Sequence, residues 1–232
     1  MVTGNPGTVA LTAKGRRTRA RIIQIAAELM LANGVARTTI EDVCDAGGVG
    51  RSQIYHYFCD KSELVRGVIE HQTDRVLAHQ EPFNSDLTNW RNWYAWRDRI
   101  VETQRRLGCV AGCPIGSLAN ELADSDDLAR RVLNQSFDRW QRAFSNGIQQ
   151  MKSRHLLNGR ADPTALSTFI LGALQGGLLL CQTRKDVDPL EISLNAALAY
   201  LHTYDDSGSE ATGSGPYEAG SSSSSLTTSD LM

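Results

Sequence analysis

TTIEDVCDAGGVGRSQIYHYFCDK, residues 38–61, decides how this chain folds. Thr39 stands as a helix N-cap with Asp42 three residues on, a capping-box pattern. Ile40, Val43 and Cys44 follow as one apolar face. Gly48 supplies the positive φ that a tight turn needs. A second short helix then runs roughly over 51–58, with Ile54 buried against the first. Arg51, Ser52, Gln53, Tyr55, His56 and Tyr57 are left exposed. All six can donate hydrogen bonds and none is acidic. Asp60 caps a further helix, with Glu63 three residues later, and this leaves Lys61 at a helix start, where free N–H groups attract phosphate. Two short helices about a glycine turn form a unit whose second helix fits the major groove of DNA.

Outward from this segment, residues 19–65 resemble the N-terminal domain of the TetR/AcrR transcriptional regulators. The matching residues are R-x-x-I-I-x-x-A-A-x-L-M at 19–30, Gly34, TT at 38–39, GGVG at 47–50 and IYHYFxDKxxL at 54–64. The resemblance implies that Tyr55, His56 and Lys61 grip phosphates and that Arg51, Ser52 and Gln53 face base edges. Arg pairs well with guanine and Gln with adenine in that groove. Gly50 departs from the pattern, which usually has Ser or another polar cap. Thr39, Tyr57, Arg16 and Arg17 complete the expected DNA-facing set. Residues 14–37 hold six Lys and Arg against the single acid Glu28, the electrostatic footprint of a DNA-binding end.

The chain has 232 residues and a net charge of −2, which excludes a protein coated in basic residues. The balance is uneven: five of the 26 acids, and no Lys or Arg, fall in residues 205–232. Ser, Gly and Thr dominate there, and such a stretch buries too little apolar surface to fold. The expected layout is a disordered arm at 1–14, a helix-turn-helix domain at 15–62, a helical body at 63–204 and a disordered acidic tail from 205. The basic residues of the start follow the apolar ones, unlike a secretory leader, and no run of 18 consecutive apolar residues occurs. A cytoplasmic protein with no membrane partner and reduced cysteines is expected.

The breakers and apolar spacings predict an all-α fold. Helices are expected at roughly 16–33, the two short ones, 60–78, 86–107, 117–122, 126–154 and two more. The last two open on Asp162-Pro163 and Asp188-Pro189, with Asp as cap and Pro at the first helical position. Residues 165–181 carry no charge, so that helix should be buried all round. Leu171, Gly172, Gln175, Gly176 and Leu179, with Leu194, Leu198 and Leu201 from the final helix, form the expected homodimer interface. The resembled family dimerises through its last two helices.

Trp93, Tyr94, Trp96, Phe137, Trp140 and Phe144 gather many aromatics on two helices, as core or as cavity wall. TetR-like regulators hold a small-molecule effector in this domain, so these residues, with Arg97, Cys113 and Gln175, form the expected pocket. Gln104 and Asn120 are further polar groups available to orient a ligand. The loop at 112–126 also resembles drug-responsive members. Cys109 and Cys113 invite a zinc or redox reading. No companion ligand pair of suitable spacing stands near, so neither metal nor cofactor is expected. A redox-sensing regulator remains an alternative, as does a helical interaction module without DNA. No GxSxG, phosphate loop, HExxH or Rossmann glycine pattern is present, so no enzyme is expected.

Overall fold

Thr12 starts the first helix, its side chain accepting the Gly15 N–H. The computed structural model describes residues 11–81, 86–110 and 112–206, and nine helices occur among them. They are α1 Ala13–Asn33, α2 Ile40–Gly47, α3 Arg51–Tyr57, α4 Lys61–His79, α5 Trp90–Arg106, α6 Pro114–Leu122, α7 Asp127–Ser153, α8 Pro163–Arg184 and α9 Asp188–His202. The only β-type pairing among the described residues is an isolated bridge between Leu157 and Asp205.

α1 packs on α2 and α4 to make a small N-terminal head. The long α4 leaves the head and lies against α6 and α7, so one helix belongs to both halves. In the body α8 packs between α7 and α9, and α9 also meets α5. The apolar core runs without a break from Ile22 in the head to Leu201 in α9. Head and body therefore share packed side chains as well as a connecting helix.

Several boundaries differ from the expected ones, each for a local reason. α1 begins at Ala13 because Thr12 caps it, three residues earlier than its charge pattern suggests. α5 begins at Trp90 rather than 86, with the Asn89 side chain accepting the Asn92 N–H. Leu87 is buried from an irregular segment, not from a helix. Its backbone crosses α7 at Gly147, where a Cβ would lie 2.7 Å from the Leu87 carbonyl oxygen. α6 starts at Pro114, not Ser117, with Pro at the first helical position and the Cys113 sulfur accepting the Gly116 N–H at 3.4 Å. α8 opens as predicted, on Asp162 accepting the Thr164 and Ala165 N–H groups. α9 does not follow suit: Val187 holds the cap position and Asp186 Oδ1 accepts the Asp188 N–H.

α8 is long and apolar enough, by length and composition alone, to cross a membrane; 44% of its apolar stretch is buried within the protomer, so it is not buried all round, contrary to expectation. Past α9 the chain stays pinned to the α7–α8 loop, through Asn158 N–H to the Tyr204 carbonyl at 2.8 Å. Asp205 and Asp206 thus belong to the body rather than to a tail. The rest of the expected tail, and most of the expected arm, lie outside the described residues.

Candidate nucleic-acid interface and effector cavity

The head presents α3 on a rigid mount. Thr39 and Asp42 form a reciprocal capping box: Thr39 Oγ1 accepts the Asp42 N–H at 3.1 Å, and Asp42 Oδ2 accepts the Thr39 N–H at 2.7 Å. Those bonds hold the Asp42 carboxyl below its ordinary pKa. Gly48 ends α2 in the left-handed region, at φ 57°. Ile54 and Phe58 are buried and fasten α3 from beneath. Gly50 caps α3 with no side-chain hydrogen bond.

Arg51, Ser52, Gln53, Tyr55 and His56 project from α3 into solvent, and Tyr57 is half-buried with its ring edge-on to His56 at 4.9 Å. Arg51 meets Glu41 of α2 at 2.6 Å, and both side chains are more than half exposed. Such a pair contributes about 0.2–1 kcal/mol, less than the 1–3 kcal/mol of a bidentate Arg–guanine contact, so DNA can displace it. Arg16 and Arg17 are exposed on the first turns of α1, with Arg16 also donating to the Leu11 carbonyl at 2.6 Å. Two basic residues not singled out individually brace the head instead. Arg21 donates to the Gly47 carbonyl at the end of α2, and Arg19 lies over the Phe58 ring.

Lys61 is engaged within the protein. Its Nζ donates to the Val35 carbonyl at 2.7 Å, tying α4 to the α1–α2 loop. The Val35 N–H is held from the other side, donating to Glu121 Oε2 of α6 at 2.7 Å. One residue of the head is thus gripped by the linking helix and by the body.

α6 carries this grip to a cavity of about 780 Å³ bounded by α4, α5, α6, α7 and α8, with Leu31 of α1 at its edge. That size lies within the range of small-molecule sites. Cys113 and Pro114, where α6 begins, form part of its wall. Exposed Leu31, Leu107 and Val110 make an apolar lip, while Ile100, Trp140, Leu174 and Leu178 line it deeper.

The expected pocket residues divide into three groups. Trp140 and Cys113 line this cavity. Phe137, Gln175 and Asn120 line a separate groove of about 290 Å³ between α6, α7 and α8, which Cys113 also touches. Trp93, Trp96 and Phe144 line neither: they are fully buried and pack on one another, with ring centroids 5.0–5.9 Å apart. Tyr94 and Arg97 face α9, where the Tyr94 hydroxyl meets His202 Nε2 at 2.7 Å and Arg97 reaches Asn195. The aromatic side of α5 therefore makes core, and a different stripe, Ile100, Thr103, Gln104 and Leu107, faces the cavity. At the C-cap of α4, Gln80 Oε1 accepts both the Trp96 and Trp140 indole N–H groups at 3.1 Å, which fixes Trp140 in the wall and Trp96 away from the cavity.

The expected dimer residues also divide. Leu194, Leu198 and Leu201 are 0%, 2% and 0% exposed, and Leu171 is buried, because α9 spends these positions on its own protomer. Gly172, Gly176 and Leu179 do face outward, and Gln175 partly so. The open apolar stripe comprises Phe169, Leu179 and Leu180 of α8 with Ile192 and Tyr200 of α9, where Leu179 is 57% and Ile192 67% exposed.

Cys109 and Cys113 stand in different surroundings. Cys113 is buried at the start of α6, and burial pushes its thiol pKa up. Cys109 sits with positive φ beside Cys181 of α8, whose thiol is pushed up to about 12 by burial and by the Cys109 thiol.

Two family descriptions match the chain: bacterial regulatory proteins of the tetR family over residues 22–68, and the C-terminal domain of LmrA/YxaF-like transcriptional regulators over residues 92–195. An uncharacterized HTH-type transcriptional regulator in the lacX 3′ region of Lactococcus lactis is 28% identical over 184 residues, covering 76% of this chain and 89% of that protein. The HTH-type transcriptional repressor DhaR of Mycobacterium sp. strain GP1 is 21% identical over 188 residues, covering 79% of this chain and 91% of that protein. A TetR transcriptional regulator from Chloroflexus aurantiacus superposes with a TM-score of 0.70 at 25% identity, covering 84% of this chain and 98% of that one. With its helix-turn-helix head and nine-helix described fold, this chain belongs to the TetR family, with an LmrA/YxaF-like C-terminal domain, and is a DNA-binding transcriptional regulator of a family that dimerises on its operator.

Proposed function

We propose that this regulator is a repressor, released from its operator when a small, mostly apolar molecule fills the cavity bounded by α4 to α8. The observation that carries this reading is the continuity from cavity to head. Cys113 and Pro114 form cavity wall at one end of α6, and Glu121 at the other end holds the Val35 N–H of the head. A molecule that pushes the start of α6 or the middle of α4 strains the loop that Glu121 and Lys61 grip together. In a dimer the two heads must stand about 34 Å apart to read successive major grooves of a palindrome, so a small displacement of each lowers affinity. On α3, Arg51, Ser52 and Gln53 read bases; Tyr55, His56, Tyr57 and the first-turn residues Arg16, Arg17 and Thr39 hold the backbone. The similarity to a relative described as a repressor agrees with this direction of control.

The test is an anisotropy titration of a labelled operator with and without a cavity ligand. Effector and operator must weaken each other by the same factor, typically about 5- to 150-fold. A molecule that binds the cavity and leaves operator affinity unchanged overturns the reading.

A further inference from the structure

The proposal concerns the chemistry of the effector and rests on the cavity being the effector site. The wall is apolar for most of its area, but its polar residues are unevenly chosen. Among the described lining residues there is no Asp or Glu, while Arg75 of α4 and Arg106 of α5 both contribute. His79 lines the same wall, its Nε2 3.2 Å from Thr103 Oγ1. Partial burial, then Arg99 and Arg106, push the His79 pKa down, as expected where positive charge is concentrated without a counter-ion.

The partners of these arginines point the same way. Arg106 meets Glu102 at 3.7 Å, but Glu102 is nearer to Arg105, at 3.1 Å. Among the described residues Arg75 and Arg99 form no ion pair, and the Arg99 Nε is buried with no hydrogen-bond partner. Asp74, beside Arg75 in sequence, is engaged by Arg139 of α7 at 2.8 Å. Deeper in, two wall residues hold unused hydrogen-bonding capacity: Gln72 and Gln104 are only 3% and 8% exposed, yet Gln72 Nε2 and Gln104 Oε1 have no partner. The last torsion of a Gln side chain is broad, so either amide can turn toward an occupant. Orphaned buried polar groups in a native protein call for such an explanation.

We propose that the mouth of this cavity, around Arg75, Arg106 and His79, is an anion site. The effector is an apolar ring system bearing one carboxylate, its rings against Ile100, Trp140 and Leu174. A cation in the same place meets the lining guanidinium groups of Arg75 and Arg106 and no lining acid, and is excluded. The charge stays at the mouth, where water still reaches it, and the apolar rings fill the dry interior. A hydroxyl or amide on the ring system would satisfy Gln72 or Gln104.

Three probes of matched shape test this: 2-naphthoate, 2-naphthamide and 2-naphthylmethylammonium, titrated into the full chain at pH 7.5 by calorimetry, with quenching of tryptophan fluorescence as a second readout. The naphthoate is expected to bind about tenfold or more tighter than the amide, and the ammonium weakest. Arg75→Gln and Arg106→Gln should each weaken naphthoate severalfold and leave the amide unchanged, while far-ultraviolet dichroism and Tm stay near those of the parent. Amide or ammonium binding as tightly as naphthoate overturns the proposal. So does naphthoate affinity indifferent to both arginine variants, or no binding of naphthoate at all. Operator release is read separately: naphthoate that binds as expected without shifting operator affinity supports the anion site and counts against the regulatory reading of the cavity.

Discussion

At the scale of single residues, Lys61 has the most to reveal. Its position at a helix start suggests a phosphate contact, and its ammonium already donates to the Val35 carbonyl. An ammonium has three donors, so the two roles are compatible. Lys61→Met keeps the stem and removes the charge. It should weaken binding to every DNA sequence alike and flatten the slope of log affinity against log salt by about one. The measurement is anisotropy over a salt series; an unchanged slope would assign the ammonium to the Val35 loop alone. Gly50 shows the converse limit of residue-level reading. A glycine cap is weaker than Ser by only a few tenths of a kcal/mol, so the start of α3 is set by the turn and by Ile54 beneath it, not by a capping side chain.

At the scale of elements, α6 acts as a short strut between cavity and head. Its length, its start at Pro114 and its end near Glu121 allow a carboxylate to reach the head while Cys113 lines the cavity. A hydrogen bond to a charged acceptor contributes about 1.5–3 kcal/mol, which corresponds to roughly ten- to a hundredfold in amide exchange. Glu121→Ala should therefore speed hydrogen exchange at the Val35 amide by at least about tenfold and leave the amides of α8 unaffected. Unaltered exchange at Val35 would show that the loop is held by Lys61 and packing without α6. α5 carries a different lesson. Its Trp93 and Trp96 are readable as helical aromatics, but helical spacing alone does not say which stripe meets the core and which meets empty space. The core stripe went to the aromatics because Phe144, Met151 and Gln80 receive them.

At the scale of the whole molecule, dimerisation depends on which leucines the protomer leaves over. The α8–α9 pair buries Leu194, Leu198 and Leu201 and leaves Phe169, Leu179, Ile192 and Tyr200 outside, with Phe169 and Tyr200 ring edges touching. Ile192→Glu should yield a folded monomer with operator affinity reduced at least about tenfold, since one head alone loses half the contacts. Leu198→Glu should instead prevent folding, because it buries a charge in the protomer. Light scattering with circular dichroism separates the two; a dimeric Ile192→Glu protein would place the interface elsewhere.

The amino-acid order by itself determined the head, the capped starts of α2, α4 and α8, and the all-α class. These depend on contacts within three or four residues, such as Thr39 with Asp42, Asp60 with Glu63 and Asp162 with Ala165, and local geometry is written in local sequence. The tertiary structure alone decided which face of α5 borders the cavity, that the leucines of α9 are buried while Ile192 and Tyr200 stay exposed, and that Val35 is held by residues 26 and 86 positions away. Those outcomes depend on how helices distant in the chain pack around one another, and a helix's own periodicity fixes its faces without naming what each face will meet.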